Sequence, residues 1–244
     1  MKHLTAESLV ELLKTKANSN RKKTNEYYFK TGKGEYGEGD VFIGVDNPGV
    51  RSSAALYKDM EYDEIEKLLK SEIHEVRFSG LIIITERAKK AYSKKDFFTL
   101  KVISDFYLKN RSYVNNWDLV DLTSHYILGK AILAGIYDYD LLDELSSSES
   151  LWDRRISIVS TYAFIKNGDI FPTLVLSKKL LDNKEDLMHK AIGWMLRESW
   201  KVDPETIEGF LMENYNQIPR TALRYAIEKM EEPKRKEFLN INKK

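Results

Sequence analysis

Met188-His189-Lys190-Ala191-Ile192-Gly193-Trp194-Met195-Leu196-Arg197 decides the fold. Its Met188, Ala191, Ile192 and Met195 recur at intervals of three and four, the spacing that gathers side chains into one stripe of a helix. Trp194 falls off that stripe, with Lys190 four residues before it and Arg197 three after. The same spacing extends outward through Leu68, Leu69 and Ile73, through Leu81, Ile82 and Ile84, and through Val159, Ala163 and Phe164. Four apolar helices open at His74-Glu75-Val76-Arg77, Trp117-Asp118-Leu119-Val120, Trp152-Asp153-Arg154-Arg155 and Met188-His189-Lys190-Ala191, at starts 35 to 43 residues apart. That is the period of two-helix HEAT-type repeats rather than of the shorter tetratricopeptide type. A further helix opens at Pro219-Arg220. Shorter capped helices fall over 138–145 and 203–212, the second with Pro204 in its first turn. Each pair leaves an apolar face that only a neighbour can cover, so the pattern predicts an all-α, HEAT-like solenoid with a concave face.

Punctuation agrees with long elements. Only 12 Gly and 5 Pro occur in 244 residues, and Gly crowds into Gly32–Gly49. The one strand-like run, Val41-Phe42-Ile43-Gly44-Val45, has no obvious partner. One domain over 1–244 is expected, with N-terminal helices and the Gly-rich segment in 1–50 and the repeats over about 51–230. A hydrophobic share of 42% supports a globular core. The 39 Lys and Arg against 38 Asp and Glu leave a net charge of +1, so any affinity for a polyanion must come from clustered cations. The absence of Cys removes disulfides, thiolate metal sites and thiol nucleophiles, and fits a cytoplasmic protein. The run Leu81-Ile82-Ile83-Ile84 is far shorter than the roughly 20 residues of a membrane span. The opening MKHLTAESLVELLKTK reads as a charged amphipathic helix, not a signal peptide.

Gly32-Lys33-Gly34-Glu35-Tyr36-Gly37 spells G-x-G-x-x-G. No strand enters it and no helix follows at once, and Glu35, Glu38 and Asp40 would repel a phosphate, so a tight turn or lid is the better reading. His3, His74, His125 and His189 have no metal-ligand spacing, and no metal or cofactor is expected. Trp117 and Asp121 lie four apart and share a helix face. Either Trp117 packs in the core while Asn116 or Asp118 caps the helix, or Asp121 sits beside an aromatic face and stabilises a developing cation. Arg155 interrupts an apolar face formed by Leu151, Ile158, Val159 and Tyr162. Such a cation needs an anionic partner, either a structural one such as Asp121 or a phosphate. Trp194 between Lys190 and Arg197 is either a platform for nucleic acid or a cation–π cluster on an exposed face. Arg220 and Arg224 extend that basic line, unless Arg224 pairs with Glu228.

Taken together, FKTGKGEYGEGDVFIGV, NNWDLVDL, LWDRRISIV, HKAIGWMLRE and PRTALRYAIE resemble the AlkD-like DNA alkylation repair glycosylases, from about Tyr28 to Ile227. The resemblance implies a monomeric solenoid whose concave, basic face grips double-stranded DNA containing alkylated bases. It also implies excision of cationic purines such as 3-methyladenine and 7-methylguanine, with neither a metal nor a lysine Schiff base. Trp117, Asp121, Arg155 and Trp194 match the positions that surround the lesion nucleotide, and Arg154, Lys190, Arg197, Arg220 and Arg224 are the expected DNA contacts. Two other functions stay open: a DNA-binding relative without catalysis that recognises bent or branched DNA, and a scaffold that binds protein.

Overall fold

Every Pro in the chain stands at a helix start. Pro48, Pro172, Pro204 and Pro233 occupy first-turn positions, and Pro219 is the N-cap of its helix. A residue without an N–H costs nothing there, because the first turn has no carbonyl to bond. Side-chain oxygens of Thr5, Asn18, Asp46, Asp96, Ser150 and Asp203 take up the first-turn N–H groups of six helices.

The computed structural model describes residues 4–241, so the first three residues of the expected N-terminal helix lie outside the described residues. The described residues are helical and hold no named strand. The strand-like run is reduced to one parallel bridge between Val41 and Ile73. The chain divides into two compact units, 1–123 and 124–244.

The first unit holds α1 (Ala6–Lys14), α2 (Ser19–Tyr28), α3 (Asn47–Ala55), α4 (Tyr62–Leu69), α5 (His74–Ser93), α6 (Phe97–Lys109), a 3-10 turn (Arg111–Tyr113) and α7 (Trp117–Ser124). Helix α5 is its centre, with α3, α4 and α6 packed around it. This is why Val76, Leu81, Ile82, Ile83 and Ile84 are all buried on a helix with no continuous polar face.

The second unit begins at the last residue of α7 and runs through a π-helical turn (His125–Gly129), α8 (Lys130–Leu133), α9 (Asp140–Ser146), α10 (Leu151–Ser160), α11 (Tyr162–Ile165), α12 (Phe171–Leu180), α13 (Asp186–Trp200), α14 (Pro204–Glu213), α15 (Arg220–Ala226) and α16 (Glu232–Asn240). Helix α13 is central, in contact with α10, α12, α14 and α15. The approach of α15 depends on Gly193, where a Cβ would stand 2.4 Å from the Ala222 carbonyl oxygen. Gly129 is under the same constraint, 2.4 Å from the Ser160 oxygen. The expected openings at His74 and Trp117 are helix starts, and those at Trp152 and Met188 fall one and two residues inside α10 and α13.

Candidate functional site

Helix α7 is begun by Asn116 and Asp118, and Trp117 stands between them. The Asn116 carbonyl accepts from Val120 N–H at 3.1 Å, and its Oδ1 accepts from Trp117 N–H at 2.8 Å. Asp118 Oδ1 accepts from Leu119 N–H at 2.9 Å. These bonds occupy first-turn donors and fix where the helix begins. Asp121 follows one turn later on the Trp117 face, and both residues are half-buried. Trp117 is therefore not a core residue. Its ring lies parallel to Phe29, with centroids 5.3 Å apart and planes 11° apart, and meets the edge of Tyr28 at 5.9 Å. Tyr28 is exposed, so α2 backs one side of the indole with an aromatic wall that is open to solvent.

Beneath this wall lies a buried ionic cluster. Asp40 receives hydrogen bonds from Asn116 Nδ2 at 2.7 Å, from Arg77 Nη2 and from His74 Nδ1 at 3.1 Å. His74 Nε2 bonds Asp118 Oδ2 at 2.9 Å. Burial by itself would neutralise His74, but the charges and hydrogen bonds of Asp118 and Asp40 outweigh it and raise its pKa to about 9. Burial pushes the Asp40 carboxyl the other way, yet the His74 bond, the Arg77 charge and the Asn116 bond leave its pKa lowered. Phe42 stacks on the imidazole at 4.6 Å and Phe29 lies 4.9 Å from it. Alongside, Glu75 accepts from Ile43 and Gly44 N–H, which anchors the Gly-rich segment to the first turn of α5. Gly44 has φ +83° and no room for a Cβ, which would stand 2.1 Å from the Asn18 oxygen.

The Gly-rich segment folds as turns, as its spelling out of context suggested. Its amides are already bonded: Gly32 N–H donates to Glu35 Oε2 at 3.0 Å and Gly34 N–H to Glu38 Oε2 at 2.8 Å. A loop whose N–H groups serve its own glutamates has no nest for a phosphate.

In the second unit, Arg155 is 4% exposed and donates from Nη1 to the Leu187 carbonyl at the start of α13. Trp194 is half-buried and lies 5.9 Å from Tyr162, which in turn has His125 at 5.2 Å and the Lys166 ammonium 5.0 Å over its ring. The flanking cations bond to carboxylates, Lys190 to Asp186 at 2.8 Å and Arg197 to Glu228. Glu228 is thus bonded to Arg197, not Arg224. Arg224 is exposed, and no ion pair is formed by it among the described residues. Arg220 is exposed and donates to the Leu239 carbonyl at 2.8 Å. Arg154 is committed inside the protein, with Nη1 on the Ser148 and Glu149 carbonyls at 2.8 Å and Nη2 on Glu185. Among the described residues no three His, Asp or Glu form a group able to hold a metal ion, and no helix is long and apolar enough to cross a membrane.

Sequence reasoning missed Tyr28, Phe29, Asp40 and His74 as parts of the Trp117 surroundings. The nearest signal was Asp40 itself, an acid closing a run of turn glycines.

The solved structure of a predicted DNA alkylation repair enzyme from Enterococcus faecalis superposes with a TM-score of 0.68 at 15% identity, covering 89% of this chain and 98% of that one. At that identity the likeness establishes the fold alone. No curated protein matches the sequence. The family model for DNA alkylation repair enzymes matches residues 9–230. With a match over nearly its whole length, the chain belongs to the DNA alkylation repair enzyme family.

Proposed function

We propose that this protein is a monofunctional DNA glycosylase that hydrolyses the N-glycosidic bond of cationic N3- and N7-alkylated purines in duplex DNA. The observation that carries this is the pairing of Trp117 with Asp121 on one face of α7, half-exposed and backed by Tyr28 and Phe29. An alkylated purine leaves with its positive charge neutralised, and the sugar it leaves behind becomes oxocarbenium-like. The enzyme has only to favour that cation. The indoles of Trp117 and Trp194 offer faces for it, each contributing roughly 0.5–2 kcal/mol when desolvated. Asp121 supplies an anion for the sugar and orients the attacking water, a role worth about 3 kcal/mol. Arg155, buried and bonded to the Leu187 carbonyl, takes the phosphate beside the lesion once that bond is released.

Five cations were expected on DNA, and they are not equal. Lys190 forms an exposed i, i+4 pair with Asp186, a contact of roughly 0–1 kcal/mol that a phosphate can displace cheaply. Arg220 and Arg224 are exposed. The proposed phosphate contacts are therefore Lys190, Arg220 and Arg224, while Arg197, bonded to both Glu228 and Glu198, reaches DNA with the Nη1 that Glu228 releases. Arg154 is best read as a structural tie.

The test is release of free 3-methyladenine and 7-methylguanine from methylated duplex, by wild type and by Asp121→Asn, with chelator present throughout. Release by wild type together with loss in Asp121→Asn, at unchanged DNA affinity, supports the proposal. A fully active Asp121→Asn removes Asp121 from the mechanism. No release by wild type defeats the glycosylase reading: salt-sensitive duplex binding would then point to recognition without catalysis, and indifference to DNA to a protein scaffold.

A further inference from the structure

The imidazole of His74 has a carboxylate on each nitrogen, Asp40 at Nδ1 and Asp118 at Nε2. An ionised carboxylate only accepts, so both nitrogens must carry a proton. A neutral ring would set the lone pair of one nitrogen against a carboxylate in a largely buried place, where His74 is 3%, Asp40 5% and Asp118 17% exposed. Arg77 completes the set. Among the groups bonded to one another two cations meet two anions, while the nearby Glu75 carboxylate is met by the Ile43 and Gly44 N–H groups, and charged groups can remain buried on those terms. The charged groups around His74 are Asp40 from the Gly-rich segment, Asp118 from α7, and Glu75 and Arg77 from its own helix. The rings of Phe29, Phe42 and Phe78 face it as well.

The two bonds straddle one residue. Asp118 follows Trp117 in the chain, while Asp40, the other partner of His74, is bonded to Asn116, which precedes it. Phe29 spans the same pair of groups from above, 4.9 Å from His74 and 5.3 Å from Trp117. We propose that the His74 imidazolium is the positioning residue of the Trp117 site, clamping the Gly-rich segment to the start of α7 so that the indole is presented at one fixed angle with Phe29 behind it. The proposal rests on Trp117 facing substrate, and it gives His74 no contact with substrate and no proton to transfer. Its influence reaches the reaction through the orientation of Trp117, where a misplacement of about 1 Å is enough to cost up to about a hundredfold in rate.

The experiment uses full-length protein labelled with 5-fluorotryptophan. The four Trp signals are read by fluorine NMR, and Trp117 is assigned with Trp117→Phe. In His74→Gln the Trp117 signal should move or broaden while those of Trp152, Trp194 and Trp200 hold. Single-turnover base release at saturating protein should fall about tenfold or more, with duplex affinity within roughly twofold of wild type. In wild type the Trp117 signal should titrate only above about pH 8, and in His74→Gln not at all. Should His74→Gln fail to fold, Asp118→Asn keeps the bond to Asp40 and should still shift Trp117. An unmoved Trp117 signal in either folded variant overturns the proposal, as does a neutral His74 by nitrogen-15 NMR near pH 7. A wild type that releases no base sinks the glycosylase reading alone, since the fluorine and nitrogen signals still decide whether His74 positions Trp117.

Discussion

Arg77 in the first unit and Arg154 in the second make the same connection with different surroundings. Each donates from Nη1 to the carbonyls six and five residues back: Ser71 and Glu72 for Arg77, Ser148 and Glu149 for Arg154. Each then gives Nη2 to a carboxylate distant in sequence. The loop before a helix is thus tied down by an arginine in the first turn of that helix, once on α5 and once on α10. The partners differ. Asp40 lies 37 residues upstream and is 5% exposed, while Glu185 lies 31 residues downstream and its side chain is 40% exposed. The motif is local and repeated, but the depth at which its anion sits decides its strength.

The largest test of this contrast is Arg77→Met. It leaves Asp40 buried with one cation fewer, and urea unfolding should show a loss of about 3–5 kcal/mol. Next comes pH. The pKa of folded His74 is raised to about 9 from 6.5, so its contribution is whole below 6.5 and fades as pH rises through 9. Between those limits the loss should be on the order of 3 kcal/mol, and it should be absent from a His74→Phe variant. The Arg154 tie has no counterpart to this loss, because a guanidinium stays charged throughout. Arg154→Met should cost less, about 1–2 kcal/mol, as water reaches the abandoned Glu185. Smallest is Glu185→Gln, expected below about 1 kcal/mol in the same unfolding experiment. Equal costs at Arg77 and Arg154 would break the comparison.

What the sequence disclosed follows from the range of each interaction. Helix openings, caps and the Trp117–Asp121 pairing depend on neighbours within one turn, and the spacing of residues carries them directly. The rejection of Gly32–Gly37 as a phosphate loop was also legible, although the reason proved more specific than repulsion, since Glu35 and Glu38 occupy the amides. His74 was the opposite case. Its two partners lie 34 and 44 residues away, and nothing in a linear pattern ties an acid after a glycine turn to a histidine at a helix start. Arg155 falls between: its place on an apolar face announced that it would need partners, whereas its bond to the Leu187 carbonyl could not be read, because every residue carries such a group and no spelling marks it.

Gly193 and Gly129 have a consequence for how the second unit can change over generations. At both, the first carbon of any side chain would already overlap a carbonyl oxygen of the facing helix. A core leucine can drift to methionine or isoleucine through small, tolerable steps. From these glycines no such ladder descends, because the lowest rung, alanine, is the one refused. Drift at the two positions has to wait for the facing helices to move apart first, while the loops around them remain free to vary.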